Sequence, residues 1–260
     1  MPDKSNWDSS TPLIIAHRGA SRLAPENTIA AFNLAVELGA DAVELDTMLT
    51  ADGIPVVIHD KTLERSTNGS GKVSSKTAKE VRQLNSVTQA DSEYSGEKVP
   101  TLEEVFFAVG SKILINVELK NLSSPFDNLV KIVIGLVRDM DLSGRVLLSS
   151  FNPLALIQAK RISPEIRRAA LVGGGPRIIR GFMEMATDYS ALHSEVSLVS
   201  QNLINKHHAS GRIVNVWTVN DEAEMRRLLA MGVDGLITDV PKMARKVIES
   251  RLRKTGYGVG

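Results

Sequence analysis

Eight short apolar runs, each followed by a stretch with helical spacing, constrain this chain more than any other feature. The runs are Leu13–Ala16, Asp41–Thr50, Lys112–Lys120, Arg145–Ser150, Arg168–Val172, Leu192–Leu198, Gly211–Val219 and Gly235–Asp239. Runs that are apolar at nearly every position suit strands buried on both faces of a parallel sheet. Strand–helix alternation implies right-handed crossovers. Eight such units in 260 residues predict an α/β fold of the closed (β/α)8, or TIM-barrel, type. The rival is an open doubly wound sheet, which carries a glycine fingerprint after its first strand. The segment His17-Arg18-Gly19-Ala20 does not match it, and the glycines at 173–175 read as a loop.

The helices are expected over Pro25–Gly39, with Asn27 as cap, then 101–109 with Thr101 as cap, Phe126–Met140, Pro153–Arg161, Ile178–Met185, Gln201–Ala209, Glu222–Met231 and Pro241–Glu249. Ile54–Ile58 reads as an extra strand. Residues 60–100 turn polar and rich in Ser, Thr and Gly, so they read as a small insertion between the second and third barrel strands. Residues 1–11 read as a loose tail. The whole of 1–260 is expected to form one domain.

Composition narrows the function classes. A net charge of +1 gives no electrostatic case for nucleic acid or an anionic membrane. The absence of cysteine excludes disulfides and thiolate chemistry. No apolar run approaches the ~20 residues needed to span a bilayer, and the first twelve residues lack a signal-peptide core. A cytoplasmic location without membrane insertion is expected. A homodimer through barrel helices is compatible with the sequence, though nothing in it requires one.

The chemistry gathers in Leu13–Asp60. His17 and His59 each close an apolar strand, the first followed by Arg18-Gly19 and the second by Asp60. A single strand-end histidine is usually a polar surface residue. A pair suits acid–base catalysis, because imidazole titrates near neutral pH. Glu44 and Asp46 lie two apart on one strand and so share a face inside an apolar run. Two like charges buried there call for a cation, whether a metal or a basic side chain. Glu118 and Lys120 repeat the spacing on the next barrel strand, with Asn116 on the same face. Three inward carboxylates make a hard oxygen site for one divalent cation, Mg²⁺ or Ca²⁺, and the spacing does not choose between them. Arg18 and Lys120 suit a phosphate, or else neutralise the acids. Trp217 shares a face with Asn215, as pocket floor or as core. His193 is ambiguous, and His207 and His208 read as solvated.

Taken in order, HRGA with PENT, the E-L-D acids, IHD, VPTLEEV, N-x-E-x-K and VWTVN resemble the glycerophosphodiester phosphodiesterase family, from Leu13 to about Ile248. The resemblance implies a TIM barrel with an insertion after the second strand. It implies hydrolysis of a glycerophosphodiester to sn-glycerol 3-phosphate and an alcohol with a divalent cation. It assigns His17 and His59 as the acid–base pair, with His17 expected as base and His59 as acid in the first step. It makes Glu44, Asp46 and Glu118 metal ligands and Arg18 and Lys120 phosphate contacts, and puts Trp217 beside the glycerol. Glu26 and Asn27 are expected to support the His-Arg loop. Two other readings are a phospholipase D-like or cyclising phosphodiester lyase acting on lysolipids, and a barrel that binds phosphodiesters without turnover.

Overall fold

The structure is a computed structural model that describes residues 7–86, 94–174, 183 and 187–254. Among the described residues nine strands form one sheet: β1 (Leu13–His17), β2 (Ala42–Leu49), β3 (Pro55–Val57), β4 (Leu114–Leu119), β5 (Val146–Ser150), β6 (Arg167–Val172), β7 (Ala191–Glu195), β8 (Ile213–Trp217) and β9 (Gly235–Thr238). Eight of them pair in parallel, and β1 bonds to both β9 and β2, so the sheet closes. Among the described strands only β3 runs antiparallel, against the carboxyl end of β2 at Thr47–Leu49. The expected (β/α)8 barrel is therefore present.

The eight barrel strands have two apolar faces. Ile14, Ala16, Val43, Leu45, Ile115, Val117, Val146, Leu148, Val214 and Leu236 pack outward against the helices. Leu13, Ile15, Ala42, Leu114, Leu147, Ala169, Ala191 and Ile237 fill the interior. Trp7 joins that inner cluster at 1% exposure, and its Nε1 donates to the Arg145 carbonyl at 3.2 Å. The expectation of a loose tail over 1–11 fails at Trp7, while residues 1–6 lie outside the described residues. A single tryptophan in a polar stretch has no periodicity to announce it, but its ring packs among the inward side chains near the amino ends of the strands.

The helices start where side chains cap them: α1 (Ile29–Glu37) at Thr28, α2 (Ala78–Val81) at Thr77, and α3 (Leu102–Val109) at Thr101, whose capping box uses Glu104. Next come α4 (Leu129–Asp139), α5 (Pro153–Ile162) capped by Asn152, α6 (Gln201–His208) capped by Ser200, α7 (Glu222–Met231) capped by Asp221, and α8 (Pro241–Lys254). The cap of α1 is Thr28, not Asn27, whose side chain is used elsewhere. The expected helix over Ile178–Met185 lies almost entirely outside the described residues. Leu192–Leu198 is part strand and part 3-10 turn. No described helix is long and apolar enough to cross a membrane.

The insertion lies between β2 and β4. It has its own small core of Met48, Val56, Ile58, Leu63, Val73, Ala78, Val81 and Val99, and antiparallel bridges Thr62–Lys72 and Asn85–Lys98 pin it. Replacing a buried tryptophan by alanine costs about 3–5 kcal/mol. Trp7→Ala is expected to lower the unfolding free energy by about that amount, read from the urea midpoint. An unchanged midpoint would return residue 7 to a dispensable tail.

Candidate active site

The inward positions change from apolar to polar towards the carboxyl ends of the strands. One layer is Asn116, Ser149, His193 and Asn215, all essentially inaccessible. His193 lies 3.0 Å from Asn215 Nδ2 and 3.4 Å from Asn116 Nδ2, and burial pushes its imidazole down to about 3. A neutral imidazole has one donor and one acceptor, so one of the two amides presents its oxygen instead. His193 is thus a core residue. His207 is also buried, against Tyr189, contrary to the expectation of a solvated residue, whereas His208 is at the surface, paired with Asp234 at 2.7 Å.

Above that layer sit the acids. The strand register puts Glu44 beside His17 and Asp46 beside Glu118. Glu44, Asp46 and Glu118 are all buried, with one carboxylate oxygen of each within 4.8 Å of the others. Burial and the neighbouring Asp46 charge push Glu44 up to about 8 and Glu118 up to about 7. Burial acts on Asp46 in the same direction, but Lys120, Arg18, His59 and a hydrogen bond from Asn27 overcome it and hold Asp46 at about 2. The protein's own cations therefore satisfy one of the three acids. A buried, all-carboxylate set still short of positive charge fits a hard divalent cation.

The basic residues close around Asp46. Lys120 Nζ lies 3.4 Å from Asp46 and 3.2 Å from Glu118. Arg18 Nε lies 3.3 Å from Asp46 but makes no hydrogen bond, although it is buried. The Arg18 backbone N–H donates to Glu44 at 3.1 Å. This loop needs left-handed backbone at Arg18 (φ 56) and Gly19 (φ 83), and a Cβ on Gly19 would come within 2.7 Å of the Ala31 backbone. Asn27, also left-handed, donates from Nδ2 to Asp46 and accepts from the Asp46 backbone N–H. Its own N–H donates to the Arg18 carbonyl at 3.0 Å. The expectation that Glu26 and Asn27 support the His-Arg loop agrees with this geometry.

Both histidines are held through Nδ1, and the Nε2 of His17 lies 3.9 Å from Glu44. His17 Nδ1 donates to Asp239 at 2.7 Å, and Asp239 also accepts from Asn220 at 2.6 Å and Ser21 at 3.1 Å. His59 Nδ1 donates to Asp60 at 2.5 Å. Burial opposes the charged form of both rings. Asp239 and Glu44 outweigh it at His17, whose pKa is raised, while Lys120 and Arg18 reinforce it at His59, whose pKa is lowered. Asp239 was visible only as the acid ending the last strand. Trp217 is half-buried and packs against the inner cluster; its ring stands edge-on to Phe151 with centroids 5.8 Å apart, and its Nε1 donates to the His193 carbonyl at 3.0 Å. Of the residues singled out from the sequence, His17, Arg18, Glu44, Asp46, His59, Glu118 and Lys120 come together at one end of the barrel, while His207 and His208 lie elsewhere.

A family model described as "Glycerophosphoryl diester phosphodiesterase family" matches residues 17–243. The chain belongs to that family. A glycerophosphodiester phosphodiesterase of Caldanaerobacter subterraneus subsp. tengcongensis is 38% identical over 231 residues, covering 88% of this chain and 95% of the relative. Among solved structures, an Oleispira antarctica phosphodiesterase in complex with the product sn-glycerol-3-phosphate superposes with a TM-score of 0.84 at 34% identity, covering 92% of this chain and 97% of the other. A glycerophosphodiester phosphodiesterase from Agrobacterium tumefaciens gives 0.76 at 29% identity, covering 91% and 100%. Membership makes this chain a phosphoric diester hydrolase of the glycerophosphodiester class. Gly19→Ala is expected to destabilise the fold by about 1–3 kcal/mol, the usual cost of overpacking, and to lower activity. Differential scanning calorimetry beside an assay checks both, and a variant with unchanged Tm and turnover would show that the loop tolerates a side chain.

Proposed function

We propose that this enzyme hydrolyses glycerophosphodiesters to sn-glycerol 3-phosphate and an alcohol, using one divalent cation and the His17–His59 pair, with barrel and insertion acting as one domain. The observation that carries this reading is two histidines, each fixed through Nδ1 by an aspartate, beside a buried triad of carboxylates. A barrel that only bound phosphodiesters would have no use for the pair.

In this reading Glu44, Asp46 and Glu118 hold Mg²⁺ or Ca²⁺, which supplies positive charge against the phosphoryl oxygens when bound. Arg18 and Lys120, both beside Asp46, would contact the phosphodiester. The buried Arg18 Nε, with no hydrogen bond of its own, is the donor that a phosphate oxygen would satisfy. Trp217 covers the glycerol. One histidine takes the proton of the attacking hydroxyl, here the glycerol 2-hydroxyl, and the other protonates the leaving alcohol. The roles reverse when water opens the cyclic phosphate. Intramolecular attack benefits from high effective molarity. The protein's own charges favour a protonated His17 and a neutral His59, the reverse of the order expected from the sequence. A cation on the triad cancels the contribution of Glu44, so the leaving group is the better judge of order.

The direct test is release of glycerol 3-phosphate from glycerophosphocholine and glycerophosphoethanolamine, with EDTA and with Mg²⁺ or Ca²⁺ restored. Metal-dependent release supports the reading, while binding without release under every cation overturns it. His17→Ala and His59→Ala should each lower kcat by about 10²–10⁴-fold, the range for positioned acids and bases. With a nitrophenol leaving group, which departs without a proton, only the variant lacking the acid should recover. Equal loss by both on both substrates would remove the division of labour. Glu44→Gln should raise the cation concentration needed for half-maximal activity, and an unshifted titration would strike it from the ligands.

A further inference from the structure

Arg65 lies in the insertion, six residues beyond His59, and no feature of its sequence context marked it. Its Nε donates to Asp60 Oδ2, the carboxylate whose other oxygen holds His59. Its two terminal nitrogens form a fork on Glu26, at 2.9 Å and 2.6 Å. Glu26 in turn accepts from Arg18 at 3.1 Å, and Arg18 reaches Asp46. One guanidinium thus bridges the support of a catalytic histidine to the support of a phosphate-binding arginine.

The backbone that carries Arg65 is built to be still. Leu63, two residues earlier, is fully buried in the core of the insertion. The Leu63 carbonyl accepts from the Thr67 backbone and hydroxyl, and its N–H donates to the Gly71 carbonyl. Arg65 itself is half exposed, so burial of its own side chain is not what the arrangement achieves. Among the described residues it is the insertion's only ion-pair link to both Asp60 and Glu26.

We infer that Arg65 is a positioning residue for the reaction, and that the insertion serves to deliver it: through Asp60 it fixes the direction of the His59 ring, and through Glu26 it fixes the Arg18 fork. This rests on the reading that His59 and Arg18 act on the phosphodiester. Planarity and five fixed donors let Arg make these contacts at once, whereas an ammonium acts as a point charge. Lysine at 65 is therefore expected to serve one carboxylate and not both.

The test uses the full chain with saturating cation. Arg65→Met is expected to lower kcat/KM by about 100-fold, the scale of a small misplacement at a reacting centre. Loss through His59 appears in kcat and loss through Arg18 in KM, so both should move, while the cation titration and Tm stay near those of the parent. Arg65→Lys should recover one parameter more than the other. In the double variant Arg65→Met/Asp60→Asn the drop in kcat should be smaller than the product of the two single drops, because both act through one ring. Arg82→Met breaks a different ion pair, between the insertion and Glu104 of α3, that involves neither histidine, and should leave both parameters unchanged. Parent-like kinetics for Arg65→Met, or multiplicative effects with Asp60→Asn, would overturn the inference. An active His59→Ala would overturn the reading beneath it instead, and a dead His59→Ala beside a normal Arg65→Met would sink only the role given to Arg65.

Discussion

Mutual repulsion of three carboxylates in a closed barrel governs the layout of this end of the molecule. Glu44, Asp46 and Glu118 come from two adjacent strands and cannot be turned away without breaking the register that pairs Asp46 with Glu118. Water does not dilute their charges, because all three are buried. The surrounding groups read as responses to that charge. Arg18 is bent into left-handed backbone to reach Asp46, Lys120 folds back over its own strand, and Asn27 gives up the helix cap to hold Asp46 in place. The positive charge supplied is still too little for all three acids, a shortfall that a bound hard cation would relieve.

The architecture was legible because its cause is periodic. Strands buried on both sides must be apolar at successive positions, so the eight runs stand out without further context. The acids were legible for the same reason inverted. Glu44, Asp46 and Glu118 interrupt such runs at spacing two, and that spacing survives into the structure as a common face. The glycine of His-Arg-Gly was visible as a motif, and the structure supplies its reason in the approach of Ala31.

What stayed hidden is what depends on contacts between distant residues. Trp7 sits in a polar tail and is buried by strands from all around the barrel, which no local pattern encodes. Asp239 looked like the end of a strand, and its partner His17 is separated from it by 222 positions. Arg65 lies in a polar loop of the sort that usually faces solvent. His207 illustrates the converse error, a polar residue read as solvated that turns out to be enclosed, and His193, ambiguous in sequence, is enclosed as well. Hydrophobic pattern reports burial of apolar groups and is silent on polar groups that are buried because their partners are.

The pairing of His17 with Asp239 has a consequence for synthesis. His17 lies on the first barrel strand and Asp239 just past the last, at the seam where β1 meets β9. A chain emerging from its amino end carries all three triad acids once residue 118 is made, yet His17 has no orienting carboxylate until the closing strand docks. Closure of the barrel and completion of that dyad are therefore one event. A partly made chain can gather the three acids, but the pairing of His17 with Asp239 waits for the whole ring.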